Sequence, residues 1–420
     1  MNQPQRVAII GVGYVGLPLA VAFAQRGVEV VCLDADSSKV ESLAAGHSYV
    51  EDISDATLAP LKEKLVPTVD ATELASCEAV IICVPTPLTS AREPDLTYLL
   101  GAGESVADNL QEGQLVVLES TTYPGTTRER LAPILEQRSG LKAGEGFNLA
   151  FSPERIDPGR TDYTVETTPK VVGGLTPACS ERAEAIYGTI CDTVVPVSTP
   201  EAAELTKLLE NTFRSVNIAL VNELSQLCFR LGIDVWEVTG AAATKPFGFM
   251  PFQPGPGMGG HCLPVDPFYL AFKAREADFY PEFVELAGKL NQSQPAFCAH
   301  RIERALDATE RSVKGSKILL LGVSYKAGIG DTRESPALEI LRMLQEREAD
   351  VSYHDPYATG LPRFGLSSVP LEQGLAEADL VAILTGHPEI DYADVVAKAP
   401  LVIDFRGVTR GIEADNLVLL

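Results

Sequence analysis

The run Gly257-Met258-Gly259-Gly260-His261-Cys262-Leu263-Pro264-Val265-Asp266 sets a cysteine directly behind glycines and an aspartate four residues beyond it. Cysteine is intrinsically the strongest common protein nucleophile. Glycines beside it let the main chain approach a ligand where a side chain would block it. The competing reading is a small buried apolar residue, which is what most unpaired cysteines are. His261 is adjacent in sequence, so the two side chains need not face each other, and a structural role is expected for it rather than a Cys-His dyad. Further upstream, Lys207, Asn211 and Arg214 follow one another at helical spacing and share a face. Alone, such a stripe reads as a solvated surface. Asn217 and Asn222, however, interrupt the apolar residues 216–224, which points to a polar lining. An amine and a carboxamide one turn apart have the donors to stabilise an oxyanion beside a thiol.

A second constellation is Gly11-Val12-Gly13-Tyr14-Val15-Gly16, placed directly after the β-branched run 7–10 and before an apolar helical stretch. In that context the glycines permit a tight turn and close approach, and the helix N-terminus faces a pyrophosphate. The next strand, 28–33, ends at Asp34, whose carboxylate would accept hydrogen bonds from an adenosine ribose and repel a 2′-phosphate. NAD is therefore expected over NADP. Asp36 and Lys39 read as solvated or secondary contacts.

The elements that must position these residues alternate short β-branched runs with amphipathic stretches, the signature of βαβ units and a parallel sheet. Strands are expected at 7–10, 28–33, 79–84, 115–119 and 149–151, and one long helix at 201–231. Glycine and proline peak between 246 and 267, where Phe247, Phe249, Phe252, Phe268 and Tyr269 argue for an ordered loop. A further helical stretch runs to about 309, and a second α/β pattern follows: strands at 318–321, 351–353, 380–384 and 401–403, with a helix at 336–347. The expected plan is an N-terminal Rossmann NAD-binding domain (1–199), a central helical and dimerisation domain with the cysteine loop (200–309), and a C-terminal Rossmann-like α/β domain (310–420).

Across 420 residues the formal net charge is −23, which disfavours nucleic acid and anionic membrane surfaces as partners. Residues 1–6 run straight into the first strand and no apolar run approaches membrane-spanning length, so a cytoplasmic protein is expected. Eight scattered cysteines without a CxxC pair, and five histidines without metal-site spacing, imply neither a metal nor a disulfide framework.

Over essentially its whole length the chain resembles the nucleotide-sugar 6-dehydrogenases of the UDP-glucose/UDP-N-acetylhexosamine dehydrogenase family. The motifs that carry the resemblance are residues 11–18, Val84-Pro85-Thr86-Pro87, residues 119–126, Ser152-Pro153-Glu154-Arg155, residues 207–211, Gly259-Gly260-His261-Cys262, Lys326, and residues 331–336. The resemblance implies NAD-dependent oxidation of a sugar C6 alcohol to the carboxylate in two hydride transfers. Cys262 would form first a thiohemiacetal and then a thioester. Lys207 and Asn211 match oxyanion-stabilising positions, while Asp266, Thr121 and Glu154 match positions that arrange protons and water, Asp266 and Glu154 both remaining candidate bases. Gly11, Gly13, Tyr14, Val15, Gly16, Asp34, Lys39, Pro85, Thr86, Thr121 and Arg333 would contact NAD. Glu154, Arg155, Lys207, Asn211, Arg214, Phe252, Gly257, Gly260 and Lys326 would contact the sugar nucleotide, in a cleft between the two α/β domains. Local cations there can outweigh distant negative charge, which is screened beyond about 10 Å. The motif wording is closest to the branch acting on UDP-N-acetylhexosamines, with UDP-glucose as the other candidate, and the long helix suggests a homodimer. Two rivals remain: a two-electron NAD enzyme of the hydroxyacid or 6-phosphogluconate type, which would not need Cys262, and a non-catalytic protein, which would not need Cys262, Lys207 and Asn211 together.

Overall fold

Charged and polar residues are spaced so that the apolar runs between them are buried on both faces, which is what a parallel sheet covered by helices demands. The computed structural model describes residues 3–50, 52–89, 93–156, 163–260, 263 and 265–420. It divides into two units: Met1–Glu210 with Phe268–Phe279, and Asn211–Pro267 with Tyr280–Leu420.

The first unit is built on eight strands: β1 (Arg6–Ile10), β2 (Glu29–Leu33), β3 (Leu65–Thr68), β4 (Ala79–Ile82), β5 (Leu115–Leu118), β6 (Asn148–Phe151), β7 (Lys170–Gly174) and β8 (Val194–Val197). Their order is β3-β2-β1-β4-β5-β6-β7-β8, and every pair is parallel except β6 with β7. Alternation along β1 shows how the two layers form: Val7 and Ile9 enter one core, Ala8 and Ile10 the other. Three strands were not expected from the sequence. Two of them, β3 and β8, contain Pro67 and Pro196 and lie at the two edges of the sheet, where a residue without an N–H costs no ladder bond. The third, β7, ends in Gly173 and Gly174, where a Cβ would come within 2.2 Å of Thr199 O and Ser180 N.

The helix Pro200–Leu231, 32 residues long, runs from the first unit into the second. In the second unit a parallel sheet has strands β9 (Lys317–Leu321), β10 (Asp350–His354), β13 (Leu380–Ile383), β14 (Val402–Asp404) and β15 (Leu417–Leu419), ordered β10-β9-β13-β14-β15. A small antiparallel pair, β11 (Gly360–Leu361) with β12 (Leu366–Ser367), stands apart. The helix Glu282–Asp307 packs in this unit despite an internal Pro295. Among the described residues no helix is long and apolar enough to cross a membrane.

Candidate active site

The glycine turn after β1 lies where the strand order reverses, with β2 on one side of β1 and β4 on the other, the place where open α/β sheets bind ligands. Each of its glycines has a separate reason. Gly11 has φ +89° and a Cβ there would sit 2.8 Å from Cys83 O. At Gly16 a Cβ would fall 2.0 Å from Gly11 O. Gly13 is different: a Cβ would meet nothing within 4 Å. Neither fold nor packing excludes a side chain there, so the bare position leaves room for a ligand at the start of the helix Gly16–Gln25. Tyr14 beside it is half exposed, and Val15 stands at the helix N-cap. At the end of β2, Asp34 Oδ2 accepts from Val12 N–H at 3.0 Å and lies 3.3 Å from Lys39 Nζ, while Oδ1 accepts from Asp36 N–H. Lone pairs remain on Oδ1 for a diol. These residues fit a dinucleotide with a free 2′-hydroxyl, and Lys39 is tied to the aspartate instead of being simply solvated.

The loops after β4 and β5 are knitted together. Thr86 Oγ1 donates to Thr121 O at 2.7 Å, Ser120 Oγ to Val84 O at 2.7 Å, and the buried Tyr269 hydroxyl to Thr86 O at 2.5 Å. Pro85 thus sits in a loop pinned on both sides, and Thr121 is held by its carbonyl.

Beyond β6, Glu154 occupies a buried polar cluster. Its Oε1 accepts from Ile156 N–H at 2.5 Å, its Oε2 lies 3.4 Å from Lys170 Nζ, and its carbonyl accepts from Lys207 Nζ at 2.5 Å. Burial alone would raise the Glu154 carboxyl, but Lys170, the Ile156 N–H and Lys207 outweigh it and hold the group below its usual range. Lys170 is also 2.7 Å from Glu119 Oε1, which accepts from the Tyr187 hydroxyl at 2.7 Å. Arg155 is drawn aside to Glu210 at 2.8 Å and to Pro169 O. Lys170, Glu119 and Tyr187 were not singled out in the sequence. The available signal was a charge adjoining a buried strand: Glu119 follows the fully buried Leu115–Leu118, and Lys170 opens the fully buried β7.

In the second unit Asn211 Nδ2 donates to Asp266 Oδ2, and Arg214 donates to Asn211 Oδ1. Both Asn211 and Asp266 are buried, and Asp266 opens the helix Asp266–Glu276. Asn222 does not face open space. Its Oδ1 accepts from Gly255 N–H at 3.0 Å and its amide donates to Asn291, whose own amide reaches Ser215 O. Gln294 donates to Gly255 O at 3.0 Å. The glycine-rich loop is therefore anchored by carboxamides from two helices, the ordered state that its aromatics suggested. Phe252 packs edge-on against Phe213 with centroids 5.8 Å apart. Gly257 (φ +138°) and Gly260 (φ +86°) need glycine for conformation as well as space, since Cβ atoms there would press on Pro336 and on the Tyr325 ring. Gly260 N–H donates to Arg333 O at 3.1 Å, while the Arg333 guanidinium is held by both oxygens of Asp331. Lys326 lies in the turn after β9, where its carbonyl accepts from Ser324 Oγ at 3.1 Å. His261 and Cys262 lie outside the described residues.

The chain belongs to the UDP-glucose/GDP-mannose dehydrogenase family: residues 5–191 match its NAD binding domain, 201–293 its central domain and 319–411 its UDP binding domain. It is an enzyme of that NAD-dependent class. It is 37% identical over 368 residues to a UDP-N-acetyl-D-glucosamine 6-dehydrogenase of Pseudomonas aeruginosa, covering 87% of this chain and 86% of that one. It is 36% identical over 427 residues to a UDP-N-acetyl-D-mannosamine dehydrogenase of Pyrococcus horikoshii, covering 97% and 99%. A solved structure of the UDP-D-ManNAc dehydrogenase from Pyrococcus horikoshii matches with a TM-score of 0.90 at 33% identity, covering 99% of this chain and 98% of that one.

Proposed function

We propose that the enzyme oxidises the C6 hydroxymethyl of a UDP-N-acetylhexosamine to the carboxylate, with UDP-glucose as the second candidate. The observation that carries this reading is the buried Asn211–Asp266 hydrogen bond. It fixes a carboxylate four residues beyond Cys262 and a carboxamide one helical turn beyond Lys207. Two relatives named for N-acetylhexosamine substrates support the sugar class.

NAD, when bound, supplies the hydride acceptor, twice for each sugar. Gly11, Gly13, Tyr14, Val15, Gly16, Asp34 and Lys39 would hold it, with Pro85, Thr86, Thr121 and Arg333 as the other candidate contacts. After the first oxidation the Cys262 sulfur bonds to the aldehyde carbon, and the carbonyl oxygen takes a proton as the thiol loses one, giving a thiohemiacetal. The second oxidation leaves a thioester. Water then adds, the C–S bond breaks, and carboxylate and free thiol are released. Each oxyanion formed on the way needs donors that are not already spent. Lys207 uses one of its three N–H groups on Glu154 O, and Asn211 uses one of two on Asp266, so both retain some. Glu154 and Asp266 are the two candidates for the carboxylate that deprotonates the water. Arg155, Arg214, Phe252, Gly257, Gly260 and Lys326 contact the sugar nucleotide. Arg406 is a further candidate: its guanidinium lies where a Cβ on Gly255 would come within 2.7 Å of it, with Asp404 as the carboxylate that acts on it.

The same reading makes the enzyme a cytoplasmic homodimer. The long helix leaves Leu209, Leu220, Leu227 and Leu231 at least half exposed, and a partner copy would cover them.

The test is NADH yield against limiting UDP-N-acetylglucosamine, UDP-N-acetylmannosamine, UDP-glucose and dTDP-glucose, with products identified by mass. Two NADH and a uronic acid from one sugar are expected, and Cys262→Ser should abolish acid formation while NAD binding persists. One NADH per sugar, or normal turnover in the serine variant, would favour a simple two-electron dehydrogenase.

A further inference from the structure

Lys170 touches two carboxylates of the first unit at once, lying 2.7 Å from Glu119 and 3.4 Å from Glu154. A lysine so deeply placed is retained only when paired, because an isolated ammonium pays a large desolvation cost. One carboxylate would suffice for neutrality. Two produce a shared ammonium whose pull on either depends on the charge of the other.

We propose that Lys170, divided between Glu119 and Glu154, is the positioning residue that sets the aim and charge of the Glu154 carboxylate. The inference rests on the role assigned to Glu154 above. Geometry supports it from both ends. Glu154 is clamped by Ile156 N–H on one oxygen and by Lys170 on the other, leaving it one principal orientation. Glu119 in turn is fixed at the end of β5 by the Tyr187 hydroxyl at 2.7 Å and the Cys83 thiol at 3.6 Å. Burial pushes the Glu119 carboxyl up and the Glu154 carboxyl ends low, so the nearer carboxylate resists ionisation more than the one that Lys170 and Lys207 serve. The groups facing Lys170 from the packed elements are Cys83, Glu119, Glu154, Tyr187 and Cys191, with Lys207 beyond Glu154.

The test uses the full-length enzyme with NAD and either UDP-N-acetylglucosamine or UDP-N-acetylmannosamine, in Lys170→Met, Lys170→Arg, Glu119→Gln and Glu154→Gln variants. Carbon-13 NMR of labelled glutamate carboxyls follows Glu154 directly, its resonance being assigned by its loss in Glu154→Gln. Lys170→Met should move the Glu154 midpoint and the acid limb of kcat up by about a pH unit, with kcat at neutral pH down about tenfold. Lys170→Arg should restore most of both, which guards against misfolding of the methionine variant. Glu119→Gln should move them in the opposite direction, because the ammonium then serves Glu154 alone. A purely structural lysine would not make the kcat profile follow these opposite shifts. A Glu154 midpoint unmoved in both Lys170→Met and Glu119→Gln overturns the proposal. A midpoint that moves while the kcat profile stays fixed refutes instead the catalytic reading of Glu154.

Discussion

Asp34 and Asp355 hold the same place in the two α/β units, each standing just beyond its sheet's second strand and accepting the N–H of the residue after a positive-φ glycine. Val12 N donates to Asp34 at 3.0 Å after Gly11 (φ +89°), and Val323 N donates to Asp355 at 2.8 Å after Gly322 (φ +79°). The local sequences, Gly11-Val12-Gly13-Tyr14 and Gly322-Val323-Ser324-Tyr325, differ in one position. What separates them is occupancy. Asp355 also accepts from Ser324, Tyr357 and Ala358 N–H and from His387 Nε2, so both oxygens are filled by protein. Asp34 accepts one further N–H and an ammonium. Of the two aspartates, Asp34 is the one that keeps acceptor capacity for a ligand.

Asp34→Ala is accordingly expected to weaken NAD binding about tenfold and narrow the preference over NADP, since both the diol contact and the repulsion of a 2′-phosphate are removed. Titration calorimetry with each cofactor checks this. Equal discrimination in the variant would place the ribose elsewhere.

For Asp355 the expectation concerns stability and pH. Burial would raise its carboxyl, yet the His387 hydrogen bond and the N–H groups of Ala358, Ser324 and Tyr357 hold it well below the usual range. A depressed folded-state pKa stabilises the fold above the ordinary carboxylate value of about 4, and that stabilisation is lost as pH falls through the folded value. The wild-type Tm should therefore drop on acidification below about pH 4 more steeply than that of Asp355→Asn, which should be destabilised at pH 7 by about 2 kcal/mol. Parallel pH slopes in the two proteins would show that another group controls acid unfolding.

Much of this was legible in the sequence, and the reasons differ by element. The glycine turn and Asp34 could be placed because strand, turn and helix each leave a local mark, as could the 32-residue helix, whose period is long enough to count. Strands β3, β7 and β8 escaped because Pro67, Gly173 and Pro196 read as breakers, although the fold tolerates them at edges and at close approaches. The Lys170 and His387 clusters escaped for a different reason. Their members lie 16 to 68 positions apart in one case and 31 to 63 in the other, and only tertiary packing joins them. At Gly257 and Gly260 glycine spacing was readable but its local cause was not, since the space is taken by Pro336 and Tyr325.

Asn211 and Asp266 should behave as a unit. Asp266→Asn removes the charge that the Asn211 amide and the adjoining helix N-terminus both favour. Asn211→Ala leaves the carboxylate buried without that donor. Each is expected to lower kcat about a hundredfold with little change in the Kd for NAD, and the double variant should lose much less than the product of the two. Multiplicative losses would mean that the residues act at separate steps.

Glu204 sets the last expectation, because two physical effects oppose each other there and their balance is measurable. Its carboxylate, on the long helix, accepts from Gly125 N–H at 2.6 Å, Thr127 N–H at 2.9 Å and Thr127 Oγ1 at 2.7 Å, bonds that favour the ionised form. Complete burial favours the neutral form and outweighs them, pushing the group up to about 7. With the folded-state pKa above the unfolded one, the contribution of Glu204 is fully present below about pH 4.5 and is lost as pH rises through 7. Glu204→Gln retains an acceptor for Thr127 but turns an amide N–H toward Gly125 N–H, so it should be less stable than wild type at pH 5. From pH 5 to 8 it should lose less, and the gap in Tm should narrow by about 2 °C or more. A gap that is constant or widens would mean that the three donors prevail over burial and that Glu204 is ionised throughout.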